Sequence, residues 1–155
     1  MSALVTPGNL RSALAVTRSS GRQSVAVTVA DERSGSLAGA SRYCHGSVRV
    51  PSFVRSGEAF ISAIREELAR GTHRVVVPAD DVTLSLIARA RSNSKEGVLP
   101  FPEFESVQIA HDKAALMSLV EERDIPFPRL SWRYSRRWPP VCRPSSRASE
   151  GKRGP

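Results

Sequence analysis

Hydrophobic residues in the first half of the chain fall into short runs, divided by turn signals and by stretches of helical spacing. Ala3-Leu4-Val5-Thr6 is the first run, and Pro7-Gly8-Asn9 closes it with a good helix N-cap at Asn9. Leu10, Ala13, Leu14 and Thr17 then recur at helical spacing up to Ser19-Ser20-Gly21, where the glycine is expected to take the left-handed conformation that ends a helix. Val25 to Ala30 is a β-branched run stopped by Asp31-Glu32, and its unbroken apolar character predicts a strand covered on both faces. Small residues dominate Arg33 to Ser41, which reads as a loop or a single helical turn ahead of a third strand near Val48-Arg49-Val50. Pro51 ends that strand.

Ser56 caps a predicted helix with Ala59, Phe60, Ala63, Ile64 and Leu68 on its buried face and Glu58, Arg65, Glu66 and Arg70 turned outward. Gly71 stops it, and Arg74-Val75-Val76-Val77-Pro78 predicts the fourth strand. Asp80-Asp81 stand at the start of a further helix carrying Leu84, Ile87 and Ala88, with Asp81 as its expected cap. A short extended segment, Gly97–Phe101, precedes Pro102, and a last helix from Asp112 to Arg123 is expected to bury Leu116, Leu119 and Val120.

Strands alternating with helices across short turns predict an α/β protein, a Rossmann-like parallel sheet of about four or five strands flanked by helices. Ligands in such sheets sit beyond the carboxyl ends of the strands, so the loops after Thr6, Ala30, Val50 and Val77 are where a site is expected. From Ser131 onward the pattern collapses into an Arg/Pro/Ser/Gly-rich stretch with no Leu or Ile, which is expected to be disordered because it cannot bury enough apolar area to order itself.

Charge follows the same division. The formal net charge is +8, which would invite a nucleic-acid partner, but residues 1–130 hold 16 basic and 14 acidic side chains whereas residues 131–155 hold seven basic and one acidic. Basicity is thus mainly a property of the tail, where Trp132, Tyr134 and Trp138 offer stacking surfaces for a nucleic acid. No apolar stretch is long enough to span a bilayer, so no membrane partner is expected. Cys44 and Cys142 make no disulfide framework or zinc spacing, and a reducing cytoplasm is the expected location.

Candidate chemistry is sparse. The turn after the first strand lacks the glycine fingerprint of dinucleotide binding, since only Gly8 stands before Gly21. The helix start at Asn9 still offers N–H groups and a positive dipole to a carboxylate or phosphate. Asp80 and Asp81 lie at the end of the fourth strand, where a carboxylate positions a ligand or acts as general base if it is not simply a cap. Cys44-His45 reads as packing and surface, and His73 and His111 stand alone without an assigned role.

The succession Val5-Thr6-Pro7-Gly8-Asn9-Leu10-Arg11-Ser12-Ala13-Leu14-Ala15, Ser36-Leu37-Ala38-Gly39-Ala40-Ser41-Arg42-Tyr43, Pro78-Ala79-Asp80-Asp81-Val82-Thr83, Leu99-Pro100-Phe101-Pro102, Ala110-His111-Asp112-Lys113-Ala114-Ala115-Leu116 and Ile125-Pro126-Phe127-Pro128 resembles the amino-terminal part of ATP-grasp proteins. It is most similar to the branch of the carbamoyl-phosphate synthase large subunit, over about residues 3–129. The resemblance implies a Rossmann-like pre-ATP-grasp domain over residues 1–110, the start of the ATP-grasp region over 111–130, and the basic tail over 131–155.

Members of that family activate a small-molecule carboxylate as an acyl phosphate with ATP and magnesium ions, then let an amine or another nucleophile attack it. By resemblance, Lys113 matches a lysine that reaches the ATP phosphates, while Asn9, Arg11 and Asp81 match places that contact the acceptor substrate. The glycine-rich phosphate loop and the paired Glu/Asn magnesium ligands do not follow Pro128, and the text after position 130 reads like GC-rich coding DNA translated out of frame. The expectation is therefore a truncated or frameshifted ATP-grasp protein with no catalytic or metal-binding residues of its own. It is expected to show no ligase turnover, at most weak ATP binding, and self-association through an exposed last helix. The reading from a different class is a non-catalytic α/β module whose basic tail contacts nucleic acid or an acidic partner.

Overall fold

The computed structural model describes residues 1–91 and 100–126. Among these residues four parallel strands, β1 (Ser2–Thr6), β2 (Ala26–Asp31), β3 (Cys44–Arg49) and β4 (Val75–Pro78), lie in the order β3-β2-β1-β4. Five helices accompany them: α1 (Arg11–Arg22), α2 (Gly57–Ala69), α3 (Asp81–Arg91), α4 (Phe104–His111) and α5 (Lys113–Glu122). The expected α/β class and parallel sheet are what the chain forms. The expected tail over 131–155, the Phe127–Pro128 match and residues Gly97 to Leu99 of the extended segment lie outside the described residues.

Alternation along β1 explains the layering. Leu4 joins Ala30, Val50, Phe60, Ile64, Val76 and Ile87 on one face, where α2 and α3 pack. Val5 joins Ala13, Val27, Val29 and Ala38 on the other, under α1 and the loop that precedes β3. Phe60, 1% exposed, is the largest fully buried side chain among the described residues and meets Phe53 edge-on with ring centroids 5.8 Å apart. β3 forms the sheet edge and starts four residues earlier than its sequence pattern indicated, because residues such as His45 and Ser47 face solvent there and carry no apolar signal.

Several local expectations change. Helix α1 does not stop at Gly21 but runs through it to Arg22, and the positive φ falls on Ser24 at 59°. Gly21 serves close packing instead, since a Cβ there would stand 2.6 Å from Cβ of Tyr43. At α2 the expected Ser56 cap forms, its hydroxyl accepting the Ala59 N–H, and Gly71 takes φ +70°. Ala59, however, is exposed, and Glu67 is buried in its stead. His73 does not stand alone, because its Nε2 lies 2.9 Å from Oε1 of Glu67, whose other oxygen meets Arg70 at 2.9 Å.

Helix α4 was absent from the sequence expectation, and the expected burial of Leu116, Leu119 and Val120 is not reached. No residue of α5 is fully buried, and these three are half-exposed. Asp112 does cap α5, its carboxylate accepting the N–H groups of Ala114 and Ala115.

Candidate functional site

The carboxyl ends of all four strands open onto one cavity of about 240 Å³. Its walls come from Asp31 at the end of β2 and from the segments after β1 (Asn9, Leu10), β2 (Arg33), β3 (Phe53) and β4 (Asp80). These are the four loops the sheet rule singles out. They meet where the chain, after winding from β1 to β2 to β3, crosses back to place β4 on the far side of β1.

Asp31 organises this edge. It is the last residue of β2 and only 5% exposed, and a carboxylate that deep requires donors. Oδ2 accepts the Asn9 N–H at 2.9 Å and Oδ1 the Arg33 N–H at 3.0 Å, so one side chain joins the loops after β1 and β2. A second tie reaches β4: Ala79 N–H donates to the Thr6 carbonyl at 2.7 Å, and the Ser12 hydroxyl donates to the Ala79 carbonyl at 2.8 Å. Gly8 permits the close approach of β1 to the loop beyond β2, because a Cβ there would lie 2.5 Å from Oγ of Ser36 and closer still to Val29.

Two features of the cavity wall bear on what it can bind. The Thr6 hydroxyl is buried and has no hydrogen-bond partner among the described residues. Such an orphan costs about 1–3 kcal/mol, and with its oxygen sealed from the cavity it offers a ligand no contact. Helix α1 begins at the wall with Leu10 in the N-cap position, no capping side chain and no acid in its first turn. Nothing in the helix's own first turn neutralises the positive end of its dipole, which favours an anion, although the Asp31 carboxylate stands on the Asn9 N–H just ahead of it. The expected cap at Asn9 does not form: its N–H serves Asp31, and its Oδ1 accepts the Leu37 N–H at 3.4 Å.

Of the residues singled out from sequence, Asn9 lines the cavity, whereas Arg11, Asp81 and Lys113 are exposed and are not among its lining residues. Asp80, one position ahead of the expected cap, holds α3, with Oδ1 accepting the Thr83 N–H at 2.8 Å and also the Thr83 hydroxyl. Asp81 instead lies 3.7 Å from Nε2 of His111. Sequence reasoning passed over Asp31 and Thr6, treating the first as a strand stop. The signal was present, since an acid at the carboxyl end of a doubly covered strand stands where ligands bind.

No protein-family model and no curated protein matches the sequence. Solved structures do match. The L-amino acid ligase from Bacillus licheniformis aligns with TM-score 0.63 at 16% identity, over 82% of this chain and 31% of that one. Glycinamide-RNase-transformylase T from Mycobacterium tuberculosis gives 0.55 at 18% identity, over 79% and 35%, and the biotin carboxylase domain of a single-chain bacterial carboxylase gives 0.58 at 16%, over 81% and 29%. The chain has the fold of the N-terminal part of ATP-grasp enzymes.

That ATP-grasp likeness spans about a third of each neighbour's length. The described residues do not by themselves fit the ATP and magnesium that ATP-grasp enzymes use. Among them no three His, Cys, Asp or Glu side chains gather as a metal site. Among the described residues the cavity sets the carboxylates of Asp31, Glu32 and Asp80 against Arg33 alone, a net negative lining that opposes the several charges of a triphosphate far more than the single charge of a carboxylate held at the start of α1.

Proposed function

We propose that this chain is the substrate-side domain of an ATP-grasp ligase-like protein that joins a small-molecule carboxylate to an amine or thiol. The observation that carries the reading is the cavity at the β1–β4 switch, with the uncapped start of α1 in its wall. In this reading the substrate carboxylate lies at the first turn of α1 and accepts its N–H groups. The Asn9 side-chain amide supplies a polar partner for the rest of the substrate. Asp31 is a positioning residue: both its oxygens are occupied by main-chain donors, and it fixes Asn9 and Arg33 rather than reacting.

Arg11 and Asp81 flank the cavity at the first residues of α1 and α3 and contact the bulkier part of the acceptor. Lys113, in the first turn of α5, reaches toward ATP phosphates held by a partner region, and its compact ammonium suits that task. ATP and magnesium supply the acyl-phosphate activation, and no step of it is assigned to this chain's residues. Membership of the carbamoyl-phosphate synthase branch and a cytoplasmic location belong to the same proposal. No helix among the described residues is long and apolar enough to cross a membrane.

The 155-residue polypeptide alone is proposed to turn over no ligase reaction, because the neighbours it resembles extend far beyond the part it spans. Incubating the purified chain with ATP, magnesium and a panel of amino and simple carboxylic acids is expected to release no stoichiometric phosphate. Magnesium-dependent stoichiometric hydrolysis would contradict the proposal.

A further inference from the structure

We propose that Arg18, Arg22, Arg42 and Tyr43 form a binding site for a phosphorylated small molecule, at the edge of the sheet opposite the carboxyl-end cavity. The four residues line a surface pocket of about 390 Å³ together with Ala40 and Ser41. That volume lies within the roughly 300–1,000 Å³ of ordinary small-molecule sites. Its place follows from topology: α1 starts at the carboxyl edge and runs back, so its second half, with Arg18 and Arg22, reaches the amino edge, where residues 40–43 lead into β3.

The pocket is held in shape by packing that does not need a ligand. Tyr43 fits against α1 only because residue 21 is glycine, with room for no Cβ between them. Arg42 lies over the Tyr43 ring, its guanidinium carbon 4.8 Å from the centroid, and its Nη2 donates to the phenol oxygen at 2.9 Å. The Tyr43 backbone N–H is in turn held by the Ser41 hydroxyl at 3.3 Å. One guanidinium is thus oriented in advance.

Charge is the second argument. Among the described residues no carboxylate lines the pocket and none of the three arginines forms an ion pair. Arg18 and Arg22 stand four apart on one helix, a like-charge spacing that is unfavourable in itself. Arg22 offsets part of that by lying in the last turn of α1, but this does not account for Arg18 or Arg42. The hydrogen bond from Arg42, followed by the influence of Arg22, holds the Tyr43 phenol below its ordinary range, as an unneutralised positive pocket should. Guanidinium forks in this number match the oxygens of a phosphate group, and the aromatic ring gives an organic substituent a surface. The compact lining of six residues favours a small phosphorylated molecule over a nucleic-acid strand, which would need an extended basic track.

Calorimetric titration of the full chain with pyrophosphate, and separately with inorganic phosphate, tests the site against the Arg18→Gln/Arg42→Gln double variant. The expected result is saturable binding that the double variant weakens by at least about tenfold, since two charge-assisted contacts are removed. An Arg89→Gln variant on the exposed side of α3 is expected to bind as the parent does. Equal binding by parent and double variant would place the anion elsewhere, for example on the basic tail, and overturn the proposal. So would a single-stranded oligonucleotide that competes for the same arginines and binds more tightly than pyrophosphate. A second readout does not depend on affinity: in a Tyr134→Phe chain, pyrophosphate is expected to raise the titration of Tyr43 toward the free value of about 10. An unmoved Tyr43 titration under saturating pyrophosphate would equally contradict it.

Discussion

At the scale of single residues, the carboxyl edge depends most on Asp31. Replacing it with alanine removes a buried acceptor from two main-chain N–H groups and frees the loops after β1 and β2. Asp31→Ala is expected to lower stability by about 3 kcal/mol in urea unfolding, well beyond the effect of an exposed acid. A loss within about 0.5 kcal/mol would show that the two bonds do not hold the edge. The residues that sequence patterning missed have a common cause. Asp31, Glu67 and His73 are polar side chains buried by their partners, and a hydrophobic pattern registers only residues buried for their own apolar surface. Glu67 was invisible because its partners lie three and six positions downstream, the farther one beyond the end of its helix. Asp80 and Asp81 were legible as a capping pair, but which of two adjacent acids caps depends on the backbone angle at the strand end, which composition does not encode.

At the scale of elements, β1, β2, β4 and the three helices nearest the sheet were legible because each has an apolar run or face, whereas β3 was legible only near Val48, its first residues carrying no apolar signal. Helix α4 was not, since it is short, begins soon after Pro102 and buries only Val107. Gly21 gives the sharpest test at this scale. In an exposed helix interior, glycine to alanine stabilises by about 1 kcal/mol. Here the new methyl would meet Tyr43 at 2.6 Å, so Gly21→Ala is expected to destabilise by about 1–3 kcal/mol in thermal or urea unfolding. A stabilised variant would mean that Tyr43 does not pack against α1, and would remove the foundation of the arginine pocket as well.

At the scale of the whole molecule, the two ends of the sheet differ in chemistry. The carboxyl edge carries the cavity with Asp31 and the start of α1, and the amino edge carries the arginine pocket. Beyond the sheet, α5 keeps Leu116, Met117, Leu119 and Val120 half-exposed, and Ile109 and Ile125 are 37% and 53% exposed. Such a surface is expected to self-associate, so sedimentation should show mass rising with concentration. A monomer at every concentration would count against it. The central claim, that the carboxyl-edge cavity receives a substrate carboxylate, is tested most directly by titrating the ¹⁵N-labelled chain with amino-acid and simple carboxylates and following the amide resonances. The account predicts that Asn9, Leu10, Arg11 and Arg33 move on addition of at least one of these ligands, whereas magnesium and ATP leave them in place. Shifts confined to residues away from this edge, or equal shifts with magnesium and ATP, would contradict it.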